Sequence, residues 1–242
     1  MNGPGFRLAA WAVLKKELRV LFLSPLATVF LTAWLLLGGL FFYLGVALTG
    51  EASLRGTMAN LGVTLLFCVP LVTMRSFAEE QRSGTLELLL TAPVPLGALI
   101  VGKWAAVAVL NSVLLGFACI WGLLLVIYGD PDLGVLFTSY VGLWLCAGTF
   151  AAAGLFASSL TKDQMVAGVV AVLMLLPSWL ASAARDLAPE AWLPVLDRLS
   201  FTEHLRSFAQ GVVDSADLAW FAGVTFVFLF LTWRSLESRR WR

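Results

Sequence analysis

Charged residues and histidine are absent from six stretches of the chain: 26–48, 57–74, 104–127, 134–160, 165–184 and 218–233. A helix needs about 20 apolar residues to cross the hydrocarbon of a bilayer. Five stretches meet that length or nearly so, and each predicts a membrane-spanning helix. The sixth has 16 residues, roughly 24 Å at helical rise against about 30 Å of hydrocarbon. It spans only if Asp217 and Arg234 snorkel or the bilayer thins. The expected fold is therefore an all-α membrane protein with six transmembrane helices in one domain covering 1–242.

Two further segments carry mixed patterns. In 6–23, Trp11, Leu14, Leu18, Leu21 and Phe22 fall on one helical face, with Lys15, Lys16 and Arg19 on a neighbouring arc. This predicts an amphipathic helix lying in the headgroup region, basic side to the phosphates. Arg7 falls on the apolar face, so the helix is expected to start after it. In 185–217, apolar pairs alternate with charges, Pro189 and Pro194 interrupt, and Gly211 ends a candidate helix. Two short amphipathic helices are expected there, the second running through 204–208. Their acids, Asp186, Glu190, Asp197, Glu203, Asp214 and Asp217, should face water or a basic partner.

Composition agrees with the pattern. The 242 residues are 60% hydrophobic and 13% charged, with a mean hydropathy of +0.90, whereas soluble domains hold nearer 25% charge. No cleavable leader is recognised, because the first apolar run is too long and no small-residue cleavage site follows it. Twelve Lys and Arg lie on the side of the termini and four on the other. By the positive-inside rule, both termini and the connection at 75–103 are cytoplasmic. The net charge of +1 gives no sign of nucleic-acid binding. Cys68, Cys119 and Cys146 sit inside apolar runs without a CxxC spacing, so they read as small apolar residues rather than a disulfide or zinc framework.

Chemistry of its own is not legible in the chain. It has no GxxxxGK[ST] phosphate loop, no HExxH and no GxSxG. The one histidine, His204, follows Ser200 by four residues but lacks a catalytic constellation, and reads as a surface or interface residue. No ionisable group lies in a span, which disfavours an ion-coupled carrier or channel. Asn111, the most polar residue at depth, is expected to hydrogen-bond a neighbouring helix. Ala147, Ala151, Gly154 and Ser158 form a small-residue stripe. It permits close helix approach, either between two permease copies or within one.

The stretch 75–96, RSFAEEQRSGTLELLLTAPVPL, is more elaborate than a hairpin between spans requires. Glu79 and Glu80 end the second span, Gly84 breaks the helix, and Thr85 is expected to cap a new one. Leu86, Leu89 and Leu90 then share a face, and Pro93 and Pro95 stop the helix. The expected product is a two-turn helix whose apolar face docks into a groove on a cytoplasmic partner.

The pattern EExxxGTLELLLTxPV resembles the cytoplasmic coupling region of ABC-2-type permeases, closest to the branch of gliding-motility and copper-maturation permeases. A second stretch, LSFTEHLRSFAQGVVDSADLAWF at 199–221, is similar to the segment before the last span of that branch. It keeps His204, Gly211, Val212, Asp214, Asp217 and Phe221 and departs at Leu205, Gln210, Val213 and Ala216. The resemblance covers the whole chain and implies a permease of a bacterial inner membrane, without a nucleotide site of its own. ATP and Mg would be bound by a cytoplasmic ABC ATPase dimer, and no cofactor or metal by this chain. The segment 78–92, with Glu79, Glu80, Arg82, Gly84, Thr85, Leu86 and Glu87, would couple to that ATPase. His204, Leu205, Phe208, Gly211, Asp214 and Asp217 would form the outer segment that meets a partner. Other implied partners are a second permease copy or a related chain, the lipid bilayer, and an accessory membrane protein with a large periplasmic domain. Two functions follow: export or flipping of a substrate, or transmission of ATPase motion to a periplasmic partner with nothing crossing.

Overall fold

A computed structural model describes residues 5–49, 55–92, 94–129, 131–185 and 188–240. Pro93, expected to stop the coupling helix, and the acids Glu51, Asp130 and Asp186 lie outside the described residues. Eleven α-helices and no strand are present among the described residues. They are α1 (Phe6–Leu23), α2 (Pro25–Thr49), α3 (Arg55–Thr73), α4 (Arg75–Arg82), α5 (Thr85–Thr91), α6 (Leu96–Tyr128), α7 (Leu133–Leu160), α8 (Gln164–Ala184), α9 (Leu193–Leu199), α10 (Phe201–Ala209) and α11 (Ser215–Arg240). A 3₁₀ turn, Glu190–Trp192, precedes α9. Six helical stretches are long and apolar enough to cross a membrane: α2, α3 continuing into α4, α6, α7, α8 and α11.

Three of the expected spans are too short. The second, 57–74, continues through α4 to Arg82. The last apolar run lies within a helix of 26 residues, so the backbone is long enough to span, with Asp217 and Arg234 placed to snorkel at the two ends of the apolar run. Asp217 lies in its first turn and Arg234 well within it; a helix tolerates charge where it leaves the hydrocarbon. The third span begins at Leu96 rather than at 104 and runs 33 residues, about 50 Å. Lys103 is thus inside a helix, not on a loop. α1 fills the whole of 6–23, so Arg7 lies inside the helix, contrary to the expected start after it.

α7 is the axis of the bundle, packed against α3, α6, α8, α10 and α11. Its small residues make this possible. Ala147 and Ala151 are fully buried, and a Cβ on Gly154 would overlap the side chain of Thr73 on α3. The stripe therefore serves packing within one chain, not a contact between two. Polar pairs fix the helix further: Thr149 meets Thr225 of α11 at 3.0 Å, and Trp104 of α6 donates to the Gly148 carbonyl at 2.9 Å. Asp132 and Asp163 cap the starts of α7 and α8 by accepting from backbone N–H groups. Asn111 is buried on α6, yet its amide nitrogen has no hydrogen-bond partner, contrary to the expected interhelical bond.

The apolar residues of α2, α8 and α11 are largely outward, Leu36, Tyr43, Met165, Val169 and Phe226 among them. In a membrane this surface meets lipid or another protein rather than water.

The α3–α7 approach is testable. Gly154→Ala forces these helices apart and should cost about 1–3 kcal/mol, lowering the melting temperature of the purified protein by several degrees. Gly223→Ala, where an added methyl meets nothing within 4 Å, should leave it unchanged. Equal melting of the two variants would contradict the packing.

Candidate functional site

At the basic end of the bundle, the chain between α3 and α6 folds back beside α1. Pro70 lies inside α3 and removes a backbone donor there. The helix is reset at Met74, and the amides of Phe77 and Ala78 are satisfied from outside it. Ser158 of α7 supplies the partner. Its hydroxyl oxygen accepts from Phe77 N at 2.8 Å and Ala78 N at 3.0 Å, and its proton goes to the Met74 carbonyl at 3.1 Å. One hydroxyl thus uses its single donor and both acceptor positions.

Gln81 ties the same turn to the last carbonyls of α7. Its amide donates to the Ser158 and Ser159 carbonyls at 3.3 and 3.1 Å. Its oxygen accepts from Arg239 of α11 at 2.8 Å, and Arg239 also donates to the Ser159 and Leu160 carbonyls at 2.9 and 3.2 Å. Carbonyls that a helix C-terminus leaves open are closed by side chains of α4 and α11.

On the opposite face of α4 lies an ion cluster. Lys103 of α6 is 2% exposed. Its ammonium donates to Glu17 Oε1 of α1 at 2.9 Å, Glu80 Oε1 of α4 at 3.0 Å and the Ser76 carbonyl at 2.8 Å. Three donors meet three acceptors. Lys16 completes the group, 3.0 Å from Glu80 and 3.3 Å from Glu17. Burial alone would lower the Lys16 pKa; the hydrogen bonds and charges of Glu80 and Glu17 outweigh it, and the ammonium sits above the ordinary lysine value. Glu80 Oε2 is buried without a partner.

Between this cluster and Arg239 stands the turn that starts α5. Gly84 has φ 74°, the left-handed region. Thr85 does not cap α5: its hydroxyl pairs with Ser83 at 2.9 Å and reaches back to the Glu80 carbonyl at 3.4 Å. The apolar face of α5 is turned the other way from the expectation. Leu86 is buried, and Leu86 and Leu90 pack in a cluster with Phe77, Leu99, Leu155 and Leu236. What α5 presents outward is Glu87, Leu88 and Thr91, with Leu88 72% exposed. Glu79 and Arg82 on α4 also face out. The seven expected coupling residues therefore divide. Glu80 and Leu86 hold the hairpin to the bundle, Gly84 and Thr85 shape it, and Glu79, Arg82 and Glu87 form its free surface.

The other end holds the second group. The two short helices, α9 and α10, are present, and α10 ends at Gly211 in a left-handed turn, φ 84°. The Val212 amide donates to the Ser207 carbonyl and the Gly211 amide to that of Phe208, which closes the helix end. Leu205 and Phe208 are buried against α3 and α7, where Gly62 and Gly142 leave room for them. Phe201 meets Phe150 edge-on at 5.1 Å. Leu205 and Phe208 are thus unavailable to a partner. The acids are also mostly committed. Asp214 accepts from the Ala216 amide at the start of α11. Arg185 bridges Asp197 and Glu203. Asp217 is 7% exposed and lies 2.6 Å from His204 Nδ1, whose ring stacks on Trp220 at 4.4 Å. His204 is therefore a packed tether between α10 and α11, not a surface group. Ser200 accepts from Glu203 N and takes no part in a Ser–His pair. The outward residues here are Trp192, Val195, Leu199, Val212 and Val213.

Sequence reasoning missed Lys16, Glu17, Ser76, Gln81, Lys103, Ser158 and Arg239. Only Lys103 carried a signal, as a lone charge at the head of a long apolar run. Among the described residues, no group of His, Cys, Asp and Glu is arranged to hold a metal ion.

A family model described as ABC-2 family transporter protein matches residues 11–236. The chain is also 30% identical over 107 residues to the probable ABC transporter permease protein NosY of Stutzerimonas stutzeri. That match covers 40% of this chain and 39% of NosY, so the chain aligns with about two fifths of that relative.

Removing one member of a buried ion group leaves its partners uncompensated, at a cost of about 3–5 kcal/mol. Lys103→Met should therefore strongly lower the melting temperature and yield of the purified protein. Adding Glu80→Gln should recover part of the loss. A Lys103→Met variant that melts like the parent would show that the cluster contributes no stability.

Proposed function

The chain belongs to the ABC-2 family of transporter proteins and is a multi-pass membrane permease subunit; from that premise we propose that the α4–α5 hairpin receives the motion of a separate cytoplasmic ATPase. ATP and Mg are bound by that ATPase, and this chain is not itself an enzyme. The observation that carries the reading is the division of the hairpin's surface. One side is bonded to α1, α6, α7 and α11 through Glu80, Gln81 and Leu86. The other offers Arg82, Glu87 and Leu88, a mixed-charge rim around an apolar anchor, the usual make-up of a docking surface. Force applied to that surface passes directly into four other helices.

The location is the inner membrane of a bacterium, and the charge asymmetry sets the orientation, with both termini cytoplasmic. The permease works as a pair, with a second copy or a related chain. The cargo is apolar or lipid-like, exported or flipped across the membrane, since the apolar runs 26–48, 57–74, 104–127, 134–160, 165–184 and 218–233 carry no charged residue or histidine to receive an ion. A second reading, force transmission to a periplasmic partner without cargo, is favoured by the stiffness of the far end. There, α10 is tied to α7 by the Thr138 bond to the Phe208 carbonyl at 2.7 Å, and to α11 by His204 and Asp217. An accessory membrane protein with a periplasmic domain would then meet Trp192, Val195 and Leu199.

Leu88→Asp should abolish co-purification with the ATPase and its stimulation by the permease, while the variant permease melts like the parent. Retained binding and stimulation would move the docking surface elsewhere. A reporter fused after residue 242 should be active only in the cytoplasm. In proteoliposomes of the complex, ATP-dependent movement of a labelled lipid would favour transport, and its absence during ATP hydrolysis would favour force transmission.

A further inference from the structure

A cleft of about 370 Å³ opens between α1, the α3–α4 junction and α6, within the range of small-molecule sites. Among its lining residues, Lys16, Arg75 and Glu79 are each 40% or more exposed and mark the rim, while Glu80 and Lys103 are buried further in. Below them the lining turns apolar, with Val20, Leu21, Val72 and Leu110. Leu110 lies two helical turns beyond Lys103, about 10 Å deeper along α6. The cleft is thus charged at one level and greasy beneath it.

Its surroundings say what reaches it. Leu8, Trp11, Phe22 and Leu23 of α1 are 46–83% exposed. In a multi-pass membrane protein these residues require the acyl region beside α1, so the rim stands at the height of lipid headgroups. The charges fit one headgroup class. Three cations and three carboxylates line the cleft, so it is neutral overall, which selects neither an anionic nor a cationic ligand. The cluster at the floor is internally paired. At the rim, Arg75 and Glu79 are joined only by a loose contact of 3.5 Å and are each 40% or more exposed. They offer a phosphate donor and an ammonium acceptor side by side.

We propose that this cleft binds a zwitterionic phospholipid whose headgroup carries a primary ammonium, of the phosphoethanolamine class. The phosphate lies against Arg75 and Lys16, the ammonium donates to Glu79, and the glycerol end and first acyl carbons descend along Leu21 and Leu110. Such a lipid fills the seam between the interfacial helix and the coupling hairpin. A choline headgroup has the same charges but no N–H to donate, so it satisfies the phosphate half only.

The full chain, in nanodiscs of equal parts phosphatidylethanolamine, phosphatidylcholine and phosphatidylglycerol, can be extracted into mild detergent and its retained lipids counted by native mass spectrometry. Phosphatidylethanolamine should be retained over phosphatidylcholine by about tenfold or more, the worth of one charge-assisted hydrogen bond. Glu79→Gln should erase that preference. Arg75→Gln should lower retention of all three lipids, and Arg75→Lys should restore most of it; this rescue separates lost binding from lost folding. Equal retention of the two zwitterionic lipids by the parent, or a preference that survives Glu79→Gln, would overturn the proposal. Titration with free phosphoethanolamine supplies the last arm. Binding as tight as that of the lipid would mean a soluble ligand and would overturn the lipid assignment.

Discussion

The buried ammonium of Lys103 is the contact on which the basic end depends. An ion this deeply buried is tolerated only when each of its donors is met, and here the three acceptors come from α1 and from the α3–α4 region. Lys103 therefore dictates where two other pieces of chain stand against α6. α1 cannot slide along the headgroup region without taking Glu17 away. α4 cannot rotate without losing both Glu80 and the Ser76 carbonyl. Apolar packing alone would not impose such a register, because in a bilayer the lipid is as apolar as the helix face.

Ser158 and Arg239 play the same part on the other side of the hairpin. α4 is a helix of two turns, too short to hold its own geometry. It is kept helical because α7 fills its open amides and because Gln81 reciprocates by closing the end of α7. The hairpin is consequently an inset of the bundle, not an appendage. Its free surface is small for that reason: most of what the sequence makes sticky, Leu86 and Leu90 above all, is already covered.

The difference between what was legible in the sequence and what was not has a physical basis. Spans follow from composition over twenty residues, so their number, order and approximate limits could be read. The limits slipped where a helix continues past a charge, as at Lys103 and Arg234, since composition cannot distinguish a charge that ends a helix from one met by a partner. The two-helix outer segment and the helix breaks at Gly84 and Gly211 followed from local chemistry. Which face of α5 or α10 turns inward did not, because that depends on gaps at Gly62 and Gly142 and on residues 70 or more positions away. Ser158 illustrates the limit best. In the sequence it is one small residue in a stripe that permits helix contact, and nothing nearby indicates that three backbone groups of another helix converge on it.

The two ends of the molecule are built on one plan, and this bears on the proposed transmission of ATPase motion through the hairpin. At the basic end, α4 is bonded to α7 and α11; at the far end, α10 is bonded to the same two helices, through Thr138 and through the His204–Asp217 pair. α7 and α11 are also the most extensively packed pair in the bundle, and along their length Thr149 and Thr225 join them. A displacement of the hairpin is then carried by two helices moving together, not by one bending. Packed side chains of native density are poorly compressible, so a shift at the hairpin must reappear at α10 or be taken up by the more exposed helices α2 and α8. The segment between α8 and α11 is the piece best placed to convert that shift into an opening or a push, because Arg185 links the end of α8 to α9 and α10 while His204 links α10 to α11.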